Sequence, residues 1–317
     1  MATSHSTQDQ HGTQTPPPDP GSYPTFQQRL RRIKEKKGLP IPPWIANPTR
    51  SSKKVEIISR SLHPLALLTL ASGVKKLHGT PGRMVTLHSD GTARKTGTDI
   101  CLEEAEALWF AKSIGIPAPH VHTVGSTPDG RRHISMEYIA GDTLSQVWMS
   151  FSEGQKRDVA RQLQGILGVM RSVKPPETYI GAYAAGQIRD SRVHDTYTAP
   201  SCRDEIEFND YLIASLVPST PPALRGAFLR RLGTCHRVVF THGDLAPRNI
   251  IVRDGKIVGL LDWEDAGWYP ECWEYVKFFQ RTGTDVRDWW RYADDIFPEA
   301  YADELVDYVA LSKWQWP

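Results

Sequence analysis

Thr241-His242-Gly243-Asp244-Leu245-Ala246-Pro247-Arg248-Asn249, followed by Ile250-Ile251-Val252-Arg253-Asp254-Gly255-Lys256-Ile257-Val258-Gly259-Leu260-Leu261-Asp262-Trp263-Glu264, is the stretch on which the reading of this chain turns. Val238 to Phe240 is a short apolar strand leading into it. Asp254-Gly255 between two apolar runs predicts a β-hairpin over 250–252 and 256–261. A two-residue turn there sets Val252 opposite Ile257 and Ile250 opposite Gly259, so Asn249 and Asp262 emerge at the same end of the ribbon. One amide oxygen and one carboxylate brought together are hard oxygen donors suited to Mg2+, which keeps waters and takes few protein carboxylates besides substrate phosphates. Asp244 lies on the loop entering the hairpin, placed to accept a proton from a hydroxyl. A lone His-Gly-Asp recurs by chance; the eight-residue motif, the hairpin and Asp262 in order carry the reading.

Upstream, Lys75 to His78, Arg83 to His88 and Thr92 to Thr96 are separated by glycine turns and predict an antiparallel meander with Lys95 in its third strand. Leu102, Ala105, Leu108 and Trp109 recur at helical spacing, with a stop near Gly115. Glu104 shares the inner side of that helix with Leu108. A strand Lys held by a helix Glu anchors nucleotide phosphates in kinases. With a carboxylate to orient a hydroxyl and oxygen donors for a metal, it completes the parts that phosphoryl transfer requires. His133 to Ile139 predicts another strand ending at Gly141-Asp142. Beyond it the pattern changes to longer helices such as Val159 to Met170, so a lobe boundary is set near residue 141.

These residues resemble the aminoglycoside phosphotransferase and choline kinase-like family of the protein-kinase-like fold, particularly its fungal branch, over roughly residues 60–280. His242, Gly243, Asp244 and Asn249 match the family's His-Gly-Asp-x-x-x-x-Asn, and Asp262 matches the metal-binding Asp after the hairpin. Ile134-Ser135-Met136-Glu137-Tyr138-Ile139-Ala140-Gly141-Asp142 resembles its hinge strand. The resemblance implies an α+β, bilobal fold with a small antiparallel-sheet N-lobe (51–141) and a larger, mainly helical C-lobe (142–317). It implies Asp244 as catalytic base, Asn249 and Asp262 as Mg2+ ligands, Lys95 on the ATP phosphates with Glu104 positioning it, and backbone around Glu137 to Ile139 on adenine. His242 braces the loop. The expected activity is ATP- and Mg2+-dependent transfer of the γ-phosphoryl to a hydroxyl of a small molecule. The phosphate loop departs from the family pattern: only Gly79 and Gly82 flank Thr80-Pro81, and Pro81 removes a backbone donor. If that loop has lost catalysis, the same residues describe a nucleotide-binding pseudokinase or scaffold.

Other features bound the answer. The 317 residues hold 38 Lys and Arg against 36 Asp and Glu, a net charge of +2 that gives no general basic surface for nucleic acid. No apolar run reaches the roughly 18–20 residues that span a bilayer, and residues 1–22 lack the pattern of a secretory signal, so a cytoplasmic protein is expected. Residues 1–50 are expected to be a disordered or extended tail, with a basic run from Arg29 to Lys37. Cys101, Cys202, Cys235 and Cys272 are scattered and expected to be buried thiols. The charge is uneven: residues 1–60 hold ten basic against four acidic groups, and residues 261–317 five against thirteen. That acidic end favours an amine-bearing acceptor if it forms the acceptor site. Trp263, Trp268 and Trp273 are expected in the core. Arg248 is divided between a phosphate and a carboxylate, and Glu271 and Glu274 between substrate and solvent.

Overall fold

Five antiparallel strands come first in the described part of the chain. The computed structural model describes residues 73–80, 82–191, 196–281, 286 and 288–315; the expected tail of residues 1–50 and the Pro81 position lie outside them. Strands β1 (Lys75–Thr80), β2 (Arg83–Leu87) and β3 (Thr92–Gly97) form the expected meander. Helix α1 (Glu104–Ser113) follows, then β4 (Val121–Ser126) and β5 (Arg132–Glu137), giving the sheet order β1-β2-β3-β5-β4. Lys95 pairs with Val85 on one side and Ile134 on the other. Helix α1 packs through Ala105, Ala107, Leu108 and Ala111, all buried. Trp109, expected on that apolar stripe, is instead 43% exposed: the buried face centres on Glu104, Leu108 and Ala111, Ala105 lies at its edge, and Trp109, four residues on, is turned about 40° further out.

Past the hinge, β6 (Asp142–Thr143) leads into the short helix α2 (Leu144–Val147) and then α3 (Glu153–Ser172). Ser152 and Gln155 cap α3 reciprocally, satisfying backbone donors that the first turn leaves open. Strand β7 (Gly181–Ala182), the hairpin β8 (Gln187–Ser191) and β9 (Thr196–Pro200), and helices α4 (Glu205–Ala214) and α5 (Pro222–Arg231) complete the approach to the decisive stretch.

That stretch forms β10 (Val238–Thr241), β11 (Ile250–Arg253) and β12 (Lys256–Leu260), followed by β13 (Gly267–Pro270) and helix α6 (Cys272–Arg281). Two further helices, α7 (Ala293–Ile296) and α8 (Ala302–Ser312), close the described chain. Two small sheets organise this region: β10-β13-β7 and β12-β11-β6. In the second, Thr143 pairs with Ile251, which fastens the end of the hinge to the hairpin.

The hairpin forms, but with a different register. Val252 faces Ile257 as expected, whereas Gly259 faces Ile251 and Leu260 faces Ile250, because the register shifts between Ile251 and Val252. One extra residue on β12 makes a bulge. Asn249 and Asp262 still leave at the same end: the Leu261 N–H donates to the Asn249 carbonyl at 2.8 Å.

Trp263, Trp268 and Trp273 are all buried. Cys101, Cys202 and Cys272 are buried too, but Cys235 is exposed, on the loop before β10. Among the described residues no helix is long and apolar enough to cross a membrane.

Candidate active site

The loop between β10 and β11 is held by its own side chains. The Asp244 N–H donates to His242 Nδ1 at 3.1 Å, and His242 Nε2 lies 3.1 Å from the Leu261 carbonyl. A carbonyl only accepts and a backbone N–H only donates, so the ring is fixed as the tautomer with its proton on Nε2. His242 therefore ties the loop to the strand end before Asp262. Gly243 has φ +80°, and a Cβ there would come within 3.0 Å of the Asp265 carbonyl; glycine adopts this conformation without steric cost.

Glu274, on α6, is the residue that sequence left undecided. Its carboxylate is buried and accepts the His242 N–H at 2.5 Å and the Gly243 N–H at 3.0 Å. Burial pushes it up to about 7, against the pull of those two N–H donors. Sequence offered no signal for this role, since α6 joins the loop only through the fold. Glu271 instead pairs with Arg237 at 2.7 Å.

Asp244 is 2% exposed. Arg248, four residues on, sets Nη2 at 2.7 and 2.6 Å from its two carboxylate oxygens, which resolves the role of that arginine in favour of a carboxylate. Asn249 turns its amide nitrogen to the Asp244 carbonyl and to Oδ2, both at 3.0 Å. Its amide oxygen is thereby directed away from Asp244.

Lys95 is the centre of a second group. Its ammonium lies 2.7 Å from Glu104 Oε2, 2.7 Å from Asp262 Oδ1 and 3.9 Å from Glu264 Oε2. Burial alone would lower Lys95, but the fields of Asp262, Glu104 and Glu264 outweigh it and hold the ammonium well above its usual range. Burial likewise opposes the charge on Asp262; Lys95 overcomes it and keeps that carboxyl well below the usual carboxylate range. Glu104 goes the other way: burial and the neighbouring acids push it up to about 7 although Lys95 opposes them. Asp262 adopts φ +64°, a left-handed conformation that costs a non-glycine residue roughly 1 kcal/mol and is least unfavourable for Asp and Asn. Its side chain stays one-third exposed. Glu104, Asp262 and Glu264 offer oxygens all within 4.8 Å of one another.

Glu137 and Ile139 lie apart from these contacts, at the end of β5. The Glu137 N–H donates to the His120 carbonyl at 2.8 Å, and the Tyr138 N–H to the Gly91 carbonyl at 3.3 Å. Ile139 packs over the hairpin: a Cβ on Gly259 would come 2.8 Å from its Cδ1. The structure therefore brings Asp244 to Asn249, and Lys95 to Glu104 and Asp262, with the hinge resting on the hairpin that joins the two groups. Two arginines that sequence reading did not single out also enter. Arg83 on β2 sets Nη1 2.8 Å from Glu264 Oε1, and Arg189 on β8 lies 3.3 Å from Glu264 Oε2 and 3.2 Å from Asp265 Oδ1.

Solved structures with a similar fold include aminoglycoside phosphotransferases. An apo thermostable mutant of APH(4)-Ia is 14% identical, covers 76% of this chain and 84% of its own, and gives a TM-score of 0.55. A ternary complex of such a mutant with ADP and hygromycin B is 14% identical over 76% and 83%, with a TM-score of 0.53. A further APH(4)-Ia structure is 11% identical over 76% and 83%, at 0.51. At these identities the likeness is one of fold: α+β, bilobal and protein-kinase-like. No curated protein matches the chain by sequence. The model of the phosphotransferase enzyme family matches residues 77–314, from the sheet that carries Lys95 to the last helix, and the chain belongs to that family.

Proposed function

We propose that this protein transfers the γ-phosphoryl group of ATP to a hydroxyl of a small molecule, with Mg2+. The observation that carries this reading is the contact of Lys95 with both Glu104 and Asp262 at 2.7 Å, residues that sequence motifs nominated separately. In this reading residues 51–141 form the nucleotide lobe and 142–317 the catalytic lobe, and the protein works in the cytoplasm, where ATP, Mg2+ and reduced thiols coexist.

The donor set fits the cofactor. Asn249 has its amide nitrogen engaged, so its oxygen is the atom left for a cation, and Asp262 is ionised and partly exposed. Two hard oxygens from one ribbon end suit Mg2+, which completes its shell with water and phosphate oxygens. When bound, Mg-ATP supplies the transferable phosphoryl group and a divalent charge that offsets the negative charge on the phosphates. Lys95 holds the phosphates, and Glu104 keeps its ammonium directed at them. Backbone around Glu137 to Ile139 holds adenine. Asp244 orients the acceptor hydroxyl and takes its proton; Arg248 is bound to both its oxygens in the free protein, so the acceptor displaces part of that contact. His242, Gly243 and Glu274 hold the loop.

The acceptor is assigned as a small-molecule hydroxyl without an amine requirement. Of the thirteen acidic groups of 261–317 that suggested an amine, eight lie at ion-pair distance from a base: Glu271 with Arg237, Asp288 with Lys156, Asp295 with Arg157, Asp307 with Arg231, Asp262 with Lys95, Glu264 with Arg83, Asp265 with Arg189 and Glu304 with His236.

The test is a turnover screen of Mg-ATP against pooled hydroxylated metabolites, repeated with variants. Asp244→Ala is expected to lower kcat by about 100-fold or more with nucleotide affinity within a few-fold, a base being worth roughly 10²–10⁴. Asp262→Ala is expected to weaken Mg-ATP binding as well. Full phosphoryl transfer by Asp244→Ala sinks the assignment. Nucleotide binding without turnover of any acceptor favours the pseudokinase reading.

A further inference from the structure

The turn between β1 and β2 is poor in the backbone donors that cradle phosphate: it reads Gly79-Thr80-Pro81-Gly82, and proline carries no N–H. Arg83 follows directly. Its guanidinium reaches from the sheet to Glu264, which lies beside Lys95 and two residues after Asp262. The three cations of this cluster differ in how they are held. Lys95 is bound by two carboxylates and Arg189 lies between two, each with a side chain about one-tenth exposed. Arg83 contacts one carboxylate through one nitrogen and is 27% exposed, although a guanidinium offers five N–H donors in a planar fork that matches phosphate. The other oxygen of Glu264 lies 3.3 Å from the Arg189 guanidinium, so the carboxylate has a cation beside each of its oxygens.

Building on the phosphotransferase reading above, we propose that Arg83 binds the terminal phosphates of the nucleotide, supplying from a side chain a contact in place of the backbone donor that Pro81 lacks. Glu264, which bonds Arg83 at 2.8 Å, is the positioning residue that presents it. Lys95 and Arg83 then approach the phosphates from two strands of one sheet, and the Glu264 contact holds the otherwise flexible arginine in place before nucleotide arrives, which reduces the ordering cost of binding.

The test is calorimetric titration of the full chain with AMP, ADP and ATP in excess Mg2+, for the wild type, Arg83→Ala, Arg83→Lys and Glu264→Gln, with the melting temperature of each nucleotide-free variant. The expected result for Arg83→Ala is a loss of ATP affinity of about tenfold or more, a smaller loss for ADP, and AMP within about twofold, the grading that follows when a charge-assisted phosphate contact is removed. Arg83→Lys is expected to recover part of the loss, and Glu264→Gln to show the same grading more weakly. Equal weakening of all three nucleotides, or unchanged ATP affinity in well-folded Arg83→Ala and Arg83→Lys, overturns the proposal alone. Failure of the wild type to bind any of the three overturns the phosphotransferase reading, and this proposal with it.

Discussion

Removing the Glu274 carboxylate would strand the His242 and Gly243 N–H groups, both buried, with no acceptor. A buried donor left unpaired costs about 1–3 kcal/mol, so Glu274→Ala is expected to lower stability by about 2–5 kcal/mol in urea unfolding and to reduce kcat by loosening the loop that carries Asp244. Glu274→Gln keeps one acceptor oxygen and is expected to fall between Ala and the wild type. This role was not legible in the sequence, because a Glu on an amphipathic helix reads the same whether it meets solvent or a loop 31 residues away. Asp244, Asn249 and Asp262 were legible, because their spacing around one hairpin fixes which end of the ribbon they share. Arg248 was not assigned from the sequence: nothing in the spacing distinguishes a phosphate from the neighbouring Asp244 carboxylate as its partner.

The hairpin β11–β12 shows the same division at the level of elements. Asp254-Gly255 located its turn, but the bulge moved Gly259 from Ile250 to Ile251. Turn chemistry sets only the pairing next to the turn, and packing decides whether a bulge follows. Here the packing partner is the hinge: Ile139 lies over Gly259, and Thr143 of β6 pairs with Ile251. Gly259→Val is therefore expected to push Ile139 away, raising the nucleotide Kd by about 3–10-fold with kcat little changed, at a stability loss of about 1–3 kcal/mol from overpacking. Unaltered nucleotide affinity in a folded Gly259→Val protein would mean that the hinge does not rest on the hairpin during binding. The meander and the first helix were read from periodicity, whereas β4 and the hairpin β8–β9 that delivers Arg189 went unread. Each is a short edge element whose polar, irregular sequence lacks a strong period.

Across the molecule, charge is organised by pairing between distant segments. His236, ahead of β10, joins α4 to α8: Nδ1 lies 2.6 Å from Glu205 and Nε2 3.3 Å from Glu304, with the Tyr301 ring against it and Cys272 within 4.8 Å of Glu205 and His236. Burial acts to lower His236, but Glu205 and Glu304 overcome it and raise it. A base whose folded value is raised stabilises the fold fully below its ordinary value of about 6.5, and that contribution is lost as pH rises through the higher folded value. Burial raises Glu205 too, so its carboxyl also holds a proton more tightly in the fold than in the unfolded chain, and its contribution has the same sign, lost as pH rises. His236→Gln is thus expected to lower the melting temperature more at pH 6 than at pH 8.5; an equal loss at both pH values would show that the imidazole acts only as a neutral hydrogen-bonding group. Such pairs also give acidic groups of 261–317 their partners from elsewhere in the chain: Asp288 meets Lys156, Asp295 meets Arg157 and Asp307 meets Arg231. The sequence by itself determined the α+β class, the Asp254-Gly255 hairpin and the two groups of candidate residues, because turns, periodicity and motif spacing act over a few residues. Only the tertiary structure decided that Lys95 meets Asp262 across 167 positions, that Glu274 holds the loop and that Arg83 and Arg189 close on Glu264. Those contacts depend on how sheet, hairpin and helix pack together, and no local pattern encodes which side chains that packing brings face to face.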